Sequence, residues 1–538
     1  MAPRTGLLER HRDRAGGPVE QPQVSVVIAA YNAMPYLTRC VESVLEQSLP
    51  PEAVEVVAVD DGSTDGTGAE LDRFARAHPG RVRVVHQENS GGPAAPRNAG
   101  IELARGRYVF FLDADDHLGP EALQRMAAMA DENGSDVVVG KLVGVGGRKP
   151  PTSMFKRDQP DADLYSSRVF WVLNPMKLVR RELIERHGLR FPEDLRTGED
   201  QVFVTKVYLH AAKISVLASY DCVYYVLRDD GGNLTTTVRK SPRPAAGNFG
   251  PLAAMFALVG ENTPAGPRRD HLLTRLYGVN LQRALRGVRR EPDPERSRRM
   301  FAAVHEPVAR WYSETAMARL PAIVRLQGEL VRRGLYEEAV AVVRYIGKRR
   351  DVLDREGGDR PVRWLAPADF TVEGGRVYAH YPYFRDSRLG LPDSVFDVTR
   401  QVGARSFVRP ASVTVAQDRR DSRVLSVRGR RRTRLPAVAL ELTATRESDG
   451  RTVTVAVPAP AEDPVKDLTS APGTAGKRAF TARIRVPHPG IWHLALRIAG
   501  NSRSELPLQA VRVESANPVR TLLAWLGRDG RRAVRPAS

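Results

Sequence analysis

The chain has 538 residues, of which 42% are hydrophobic and 27% charged; this is too long for one hydrophobic core and typical of a folded protein with several domains. Its formal net charge of +19 favours anionic partners, although most of the excess is arginine and also fits a compositional bias. Two cysteines, Cys40 and Cys222, exclude a disulfide framework, and we expect both to be reduced and buried, as in a cytoplasm.

Several other classes of protein are disfavoured because the sequence lacks the motifs and segments that mark them. No helix-turn-helix, zinc-ligand or RNA-binding motif accompanies the positive charge, so nucleic acid is not an expected partner. Residues 1–22 lack the apolar segment of a secretory signal and are predicted to be a disordered lead. The sequence contains no run of 18 apolar residues, so no membrane-spanning helix is predicted.

The first half of the chain alternates short apolar strands with amphipathic helices. Runs of branched and aromatic residues predict strands at 24–30, 54–59, 82–86, 108–112, 136–141, 214–218 and 223–227. Apolar residues at helical spacing predict helices at 35–47, 66–78, 96–104 and 120–133, one from 181, and one ending near 211. This alternation predicts a parallel sheet with right-handed crossovers, with the polar residues that follow each strand along one edge.

The segment 108–116 carries an apolar strand followed by Asp113, Asp115 and Asp116. Carboxylates so close together repel one another unless a cation lies among them. Hard oxygen ligands suit Mg²⁺ or Mn²⁺, ions that usually also take oxygens from a phosphate substrate. The alternative interpretation is a solvated acidic turn, and on this segment alone the two interpretations are equally supported.

The predicted secondary structure changes twice in the second half of the chain. Apolar spacing predicts helices from about 242 to 355, and short alternating strands follow from about 361 at a spacing typical of a β-sandwich. The strands are predicted at 413–415, 437–442, 452–457, 480–486 and 492–498. Residues 515–538 form a basic tail with five Arg and one Asp, a charge of 5 − 1 = +4, beside a short apolar stretch.

Five motifs, each at or after a predicted strand or loop end, together resemble those of the family-2 glycosyltransferases. They read Val-Val-Ile-Ala-Ala-Tyr-Asn, Val-Asp-Asp-Gly-Ser-Thr-Asp, Asn-Ser-Gly with Arg-Asn-Ala-Gly, Phe-Leu-Asp-Ala-Asp-Asp, and Gly-Glu-Asp. Each motif is weak alone, but all five occur in order within residues 22–240. Ala30 departs from the pattern, because the family often has proline there, and we expect little consequence.

The resemblance implies a GT-A fold, a Rossmann-like mixed α/β sheet, for residues 23–240. A helical linker at 241–358 and an all-β immunoglobulin-like sandwich at 359–514 are expected to follow, before the basic tail.

The resemblance also implies a site for a UDP-sugar donor. In the family, the first strand end and the Asp-Asp-Gly-Ser turn hold the base and ribose, which here implies Ala29, Tyr31, Asp60 and Asp61. Asp60 is equally typical of a turn or helix N-cap.

Four further positions are implied on the donor side. Asn89 and Arg97 match positions that contact the nucleotide or the carboxylates near the sugar, and Asp113 matches one near the ribose and sugar. Arg228 and the threonines at 235–237 match a loop that closes over the diphosphate. A loop turn, a surface helix charge and a simple surface loop are the alternatives.

The chemistry implied by the resemblance needs one metal ligand and one base. Asp115 matches the family's ligand for Mn²⁺ or Mg²⁺, which neutralises the diphosphate leaving group. Asp200, with Glu199 beside it, matches the base that takes a proton from the acceptor hydroxyl. A single displacement inverts the anomeric centre. The alternative for this pair is a helix N-terminus stabilised by acids through its dipole.

The order of modules resembles the wall-teichoic-acid β-glycosyltransferases, which decorate poly(polyol phosphate) and oligomerise through C-terminal sandwiches. We therefore expect a donor such as UDP-GlcNAc, a polyanionic glycopolymer acceptor and homo-oligomers. The expected location is the cytoplasm, with peripheral contact at the inner face of the membrane. Two alternatives stay open: transfer to a capsular or lipid-linked glycan, and a non-catalytic glycan-binding scaffold, which the complete set of carboxylate motifs disfavours.

Overall fold

The computed structural model describes residues 21–233, 249–355, 370–373, 376–401, 414–417, 423–430, 440–457, 479–488, 490–498 and 501–513. The chain forms two compact units, which meet in sequence between Trp311 and Tyr312. The predicted lead, the threonines at 235–237 and the basic tail lie outside the described residues, except for residues 21 and 22 of the lead. The domain boundaries expected from the sequence stay predictions.

The first unit is built on a mixed eight-stranded sheet of order β3-β2-β1-β4-β7-β6-β8-β5. Its strands are β1 (Val24–Ala30), β2 (Val54–Asp60), β3 (Val82–His86), β4 (Tyr108–Asp113), β5 (His117–Leu118), β6 (Val137–Val145), β7 (Leu178–Arg180) and β8 (Ile214–Val226). β1, β2, β3 and β4 run parallel, whereas β7 is antiparallel to both β4 and β6. This confirms the mixed sheet of a GT-A domain.

Helices cover the sheet because each of them presents an apolar face to it. They are α1 (Tyr36–Leu45), α2 (Thr67–Ala77), α3 (Ala94–Leu103), α4 (Ala122–Asn133), α5 (Arg181–Arg186) and α6 (Glu199–His210). α3 packs closely on β1, since a Cβ added at Gly100 would lie 2.3 Å from Cγ1 of Val27. The glycine therefore sets the height of α3 above the sheet, and with it the position of Arg97, which α3 carries.

The prediction of two strands at 214–218 and 223–227 was wrong, because the structure has the single strand β8. β8 pairs with β6 from Ile214 to Leu217 and again from Asp221 onward, with a register shift at which Gly140 faces Leu217 and Lys141 faces Asp221. A bulge of this kind absorbs the polar residues between the two apolar halves without ending the strand.

More helices complete the first unit: α7 (Phe249–Asn262), α8 (Pro267–Arg275), a π-helical turn (Leu276–Leu281), α9 (Gln282–Arg290) and α10 (Pro294–Arg310). Asn280 in the π-helical turn donates a hydrogen bond from Nδ2 to Oε1 of Gln201 in α6, at 3.1 Å. The π-helical turn and α7 therefore contact the same helix that carries Glu199 and Asp200. No helix in the described part of the chain is both long and apolar enough to cross a bilayer.

The second unit begins with α11 (Glu314–Ala318), α12 (Ala322–Arg332) and α13 (Tyr336–Arg355). β9 (Phe370–Glu373) and β10 (Arg376–Ala379) form an antiparallel pair. The remaining strands are β11 (Thr414–Gln417), β12 (Val424–Arg430), β13 (Leu440–Arg446), β14 (Thr452–Val457), β15 (Ala479–Arg485), β16 (Gly490–Ile498) and β17 (Asn501–Val513). They form two antiparallel sheets, β11-β12-β15 and β14-β13-β16-β17.

Alternation along β16 buries every second side chain, at Trp492, Leu494 and Leu496. Ile484 on β15 and Leu442 on β13 are also fully buried. Period-two burial of this kind is the pattern of a strand with one face on an apolar core.

Candidate active site

Strand register brings the ends of three predicted motifs together at one edge of the sheet. Ala29 in β1 is level with Asp113 in β4, and Ala30 is level with Asp60 in β2. Tyr31 follows directly and is 53% exposed, so its ring is available to a ligand. The edge lies at the carboxyl ends of parallel strands, where ligands bind in open α/β sheets.

The Asp60-Asp61-Gly62 turn is fastened to the loop that carries Asn89. Ser90 donates to the carboxylate of Asp61 from its backbone N and from Oγ, and the Asn89 side chain donates to the Asp61 carbonyl at 3.0 Å. Gly62 has a φ of 72°, and a Cβ there would lie 2.8 Å from the backbone N of Asn89. Only glycine allows this approach, so two motifs distant in sequence form one rigid surface.

Arg97 connects the donor-side residues with the predicted base. Its Nη2 donates to Oδ1 of Asp113 at 2.7 Å, and its Nη1 donates to Oε1 of Glu199 at 2.8 Å. The guanidinium is buried; burial opposes its charge, but the two carboxylates outweigh burial and raise the pKa of Arg97. Arg97 therefore acts on Asp113 and Glu199, and the structure places it between them instead of on a surface helix face.

Asp200 lies in the first turn of α6, after Gly198 in a left-handed conformation with φ of 82°. Burial raises the pKa of Asp200 to about 7, the charge of Glu199 adds to this shift, and Arg97 opposes it. A carboxylate with a pKa near neutrality is suited to accept a proton. Glu199 is buried and held by Arg97, which leaves Asp200 as the carboxylate of this pair that is free to react.

Two buried cations near Asp200 were not predicted from the sequence. Lys177 is fully buried and donates from Nζ to the carbonyl and Oδ1 of Asn174; burial lowers the pKa of Lys177 to about 7, and the charge of Asp200 opposes that. Burial likewise lowers the pKa of Arg275 in α8 to about 9, again against the charge of Asp200. Each is a single basic residue in an apolar stretch, which is the only sequence signal that marks them.

The three carboxylates after β4 have different surroundings. Asp115 accepts a hydrogen bond at Oδ2 from Asn233 at 2.7 Å; burial raises the pKa of Asp115 to about 6, and the charge of Asp113 adds to this. Asp116 is buried and accepts from the backbone N of Val226 at Oδ1, while its Oδ2 has no hydrogen-bond partner among the described residues. Burial raises the pKa of Asp116 well above its usual range.

Arg228 lies just beyond the end of β8 and reaches the end of β1. Its Nη1 donates to the carbonyl of Asn32 at 3.1 Å, its guanidinium lies 4.9 Å from the ring centre of Tyr36, and it pairs with Asp230. The side chain is thus at the same edge as Tyr31 and Asp115, whose charge also acts on it.

The carboxylates fit a divalent cation that shares its coordination with a bound phosphate. Asp113, Asp115 and Asp116 supply oxygen ligands of the kind that Mg²⁺ and Mn²⁺ prefer, and Oδ2 of Asp116 lacks a partner. Within the described residues, however, no three His, Cys, Asp or Glu side chains are grouped so that they hold a metal by themselves. Such an ion would need oxygens from a ligand as well.

Comparison with known proteins assigns two regions of the chain. The model of glycosyl transferase family 2 matches residues 25–188, and the model of the glycosyl transferase TarS linker domain matches residues 245–343. The first match contains the sheet edge with Asp60, Asp61, Arg97 and Asp113. The second begins after β8 and covers the helices that contact α6.

Three individual proteins show the extent of the similarity. The chain is 41% identical over 213 residues to a poly(ribitol-phosphate) beta-glucosyltransferase of Bacillus spizizenii, covering 40% of this chain but only 33% of that relative. It is 31% identical to the glycosyltransferase GlyG of Streptococcus pneumoniae, covering 40% of this chain and 73% of GlyG. A crystal structure of residues 1–349 of Staphylococcus aureus TarS with UDP-GlcNAc is 27% identical, with a TM-score of 0.56, and the match covers 69% of this chain and 98% of that one.

The double bridge of Arg97 generates a prediction about stability. Arg97→Lys keeps the charge but loses the planar fork, so it reaches one carboxylate and leaves the other without its partner. We expect the free energy of unfolding to fall by about 2 kcal/mol, measured by chemical denaturation. Arg186→Lys is the matched control, because Arg186 pairs with Glu182 where both side chains are exposed, and its effect should stay within about 0.5 kcal/mol. Equal effects of the two substitutions would contradict the bridge.

Proposed function

Because the chain belongs to glycosyl transferase family 2, we propose that it transfers a sugar, with inversion, from a UDP-sugar such as UDP-GlcNAc to a hydroxyl of an anionic cell-wall glycopolymer of the teichoic-acid class. The observation that carries the proposal is the bridge of Arg97 between Asp113 on the donor side and Glu199 beside Asp200. The bridge supports a single site in which the proposed nucleotide-binding edge lies beside the proposed base.

The donor is held by the residues at the carboxyl edge of the sheet. Ala29 and Tyr31 flank the base, Asp60 and Asp61 accept hydrogen bonds from base and ribose, and Asp113 lies between ribose and sugar. Asn89 supports the Asp61 turn. Arg228 adds positive charge for the diphosphate, as a planar guanidinium can do for phosphate oxygens.

The reaction is one displacement at the anomeric carbon. The acceptor oxygen forms a bond to that carbon, the bond from the carbon to the β-phosphate oxygen breaks, and UDP leaves with the electron pair. The proton of the acceptor hydroxyl goes to Asp200. Arg97 keeps Glu199 and Asp113 in place throughout, so the base and the donor-side carboxylate hold a constant separation.

A divalent cation, Mn²⁺ or Mg²⁺, would be held by Asp115, with donor oxygens completing its coordination. When bound, it supplies charge neutralisation for the departing diphosphate.

The acceptor class rests on two features. The relatives include enzymes named for poly(ribitol-phosphate), and the net charge of +19 suits a polymer of phosphodiesters. A reaction that consumes a nucleotide sugar is expected in the cytoplasm. Contact with the inner face of a membrane rests on the tail at 515–538 and stays a prediction.

The function is tested by following nucleoside diphosphate release across UDP- and GDP-sugars, with a ribitol-phosphate polymer and a neutral capsular-type glycan as acceptors. Asp200→Asn keeps the shape of the side chain but cannot accept a proton, so it should lose about 10²–10⁴ in rate at little cost in donor affinity. Asp194→Asn, at an exposed position of the preceding loop, is the matched control and should be unchanged.

The same experiment has a pH dependence. Asp200 must be ionised to act as base, and its pKa is raised to about 7, so the wild-type rate should rise as pH increases through about 7 and then level off. Turnover by Asp200→Asn equal to wild type would remove this residue from the role. UDP binding without any transfer would favour a glycan-binding scaffold, and transfer to the neutral glycan alone would favour a capsular enzyme.

Asp115→Ala should abolish the gain in UDP affinity that Mn²⁺ produces. Calorimetric titration with UDP, in Mn²⁺ and in a chelator, measures this gain. The apo variant should unfold no earlier than wild type, since the change removes a carboxylate from a crowded acidic cluster. Asp161→Ala, at an exposed position, controls for the loss of one negative charge. An undiminished Mn²⁺ effect in Asp115→Ala would contradict the assignment.

For the C-terminal strands, we propose an immunoglobulin-like sandwich that mediates self-association instead of catalysis. The motifs that carry chemistry all precede residue 201, apart from Arg228. Light scattering should give the full chain an oligomeric mass, and a chain ending at about residue 355 a monomeric one that still releases UDP. A monomeric full-length chain would contradict this assignment.

A further inference from the structure

His86 joins two carboxylates at the edge of the sheet, and no step of the proposed reaction uses it. It is the last residue of β3, with Nδ1 3.0 Å from Oδ2 of Asp60 and Nε2 3.0 Å from Oδ1 of Asp72. Asp60 ends β2 and Asp72 lies on α2, so three separate elements converge on one imidazole. The ring is about half exposed, whereas the side chain of Asp60 is 8% exposed.

The two contacts together indicate the protonation state of the His86 ring. Each ring nitrogen faces a carboxylate oxygen, which only accepts, and a neutral imidazole has a single N–H. Both contacts are hydrogen bonds only when His86 is an imidazolium. The hydrogen bond with Asp60 and then the one with Asp72 raise the pKa of His86, with desolvation opposing them.

The Asp60 carboxylate is also constrained by contacts other than the one with His86. Its Oδ1 accepts from the backbone N of Ser63 at 3.1 Å. A Cβ added at Gly68 in α2 would lie 2.7 Å from Oδ2 of Asp60 and 3.4 Å from Cε1 of His86, so the absence of a side chain there makes room for the pair. The Asp60 carboxylate is therefore oriented by its own turn on one side and by His86 on the other.

We propose that His86 is a positioning residue for donor recognition, which, anchored by Asp72, holds the Asp60 carboxylate in the orientation that contacts the nucleoside of the donor. The inference rests on the proposed function, in which Asp60 contacts base or ribose. It adds a residue that touches no substrate and acts through Asp60.

The direction in which nucleoside affinity changes with pH follows from the protonation of His86. The charged groups that face the ring are Asp60 from β2 and Asp72 from α2, while Glu70 on α2 is paired with Arg73. Because the pKa of His86 is raised, the doubly bonded state is complete at lower pH and is lost as pH rises through that pKa. Nucleoside affinity should fall over the same interval.

The experiment is calorimetric titration of the full-length chain with uridine and with UDP, from about pH 6 to about pH 9. Uridine has no phosphate, and the uracil N3–H titrates only towards the upper end of this range, so a fall in affinity that uridine and UDP share below about pH 8 belongs to the protein. His86→Leu removes the donor to Asp60 and should weaken uridine binding about tenfold at low pH. His86→Asn offers an amide N–H to Asp60 and should recover part of the loss, and both variants should have flat profiles.

Asp72→Asn provides a second test at a half-exposed position that carries little risk to folding. It leaves the contact between His86 and Asp60 but removes a negative charge beside the ring, so the fall in affinity should shift to lower pH. His78→Asn, at the far end of α2, is the control and should keep the wild-type profile.

The outcomes separate the two proposals. A wild-type fall in affinity that flattens in His86→Leu and shifts in Asp72→Asn supports the role of His86. Wild-type binding of uridine and UDP with the same profile in all variants overturns that role and leaves the donor site standing. A wild-type chain that binds neither uridine nor UDP overturns the proposed function and the role of His86 together.

Discussion

The buried guanidinium of Arg97 is the interaction on which the site depends. It donates to Asp113 at the end of β4 and to Glu199 at the start of α6, two segments far apart in sequence. A buried cation is stable only when its charge is paired and its N–H groups are used, and the planar fork of arginine meets two carboxylates at once. The close packing of α3 on β1 at Gly100 sets where this fork lies. The end of β4 and the start of α6 are therefore one electrostatic unit.

The pairing with Arg97 makes the electrostatic surroundings of Glu199 differ from those of Asp200. Burial raises the pKa of Asp200, the charge of the neighbouring Glu199 adds to this shift, and the charge of Arg97, which pairs with Glu199, opposes it. Lys177 and Arg275, from a loop and from α8, oppose this from other directions. The pKa of Asp200, which lies near neutral pH, thus results from a balance of charged neighbours on four elements. Removal of any one of these neighbours would shift that pKa.

The sequence predicted β1 to β4, β6 and the edge where β1, β2 and β4 end, because buried strands are continuous apolar runs and polar residues must follow them. It did not predict the short strands β5 and β7. β8 was predicted as two strands, since its polar middle interrupts the pattern although its backbone pairing continues through a bulge. The resemblance implied that Arg97 contacts the nucleotide or carboxylates near the sugar, but the bridge to Glu199 was not predicted, because helix position alone does not say which distant carboxylate a side chain reaches. Lys177, Arg275 and His86 were missed for a related reason: each is a single residue whose meaning comes from partners in other segments. The roles assigned to the site residues stay predictions.

The repulsion expected among Asp113, Asp115 and Asp116 is relieved in three separate ways. Asp113 has the charge of Arg97, Asp115 has the amide of Asn233, and Asp116 is buried with a raised pKa and one backbone donor. The cluster therefore holds its shape through protein contacts and does not need an ion for its own stability. What these contacts do not neutralise is a diphosphate placed beside them, which would add negative charge to an acidic edge. In the proposed function a divalent ion would therefore serve the donor and not the fold, and its binding should be coupled to that of the nucleotide.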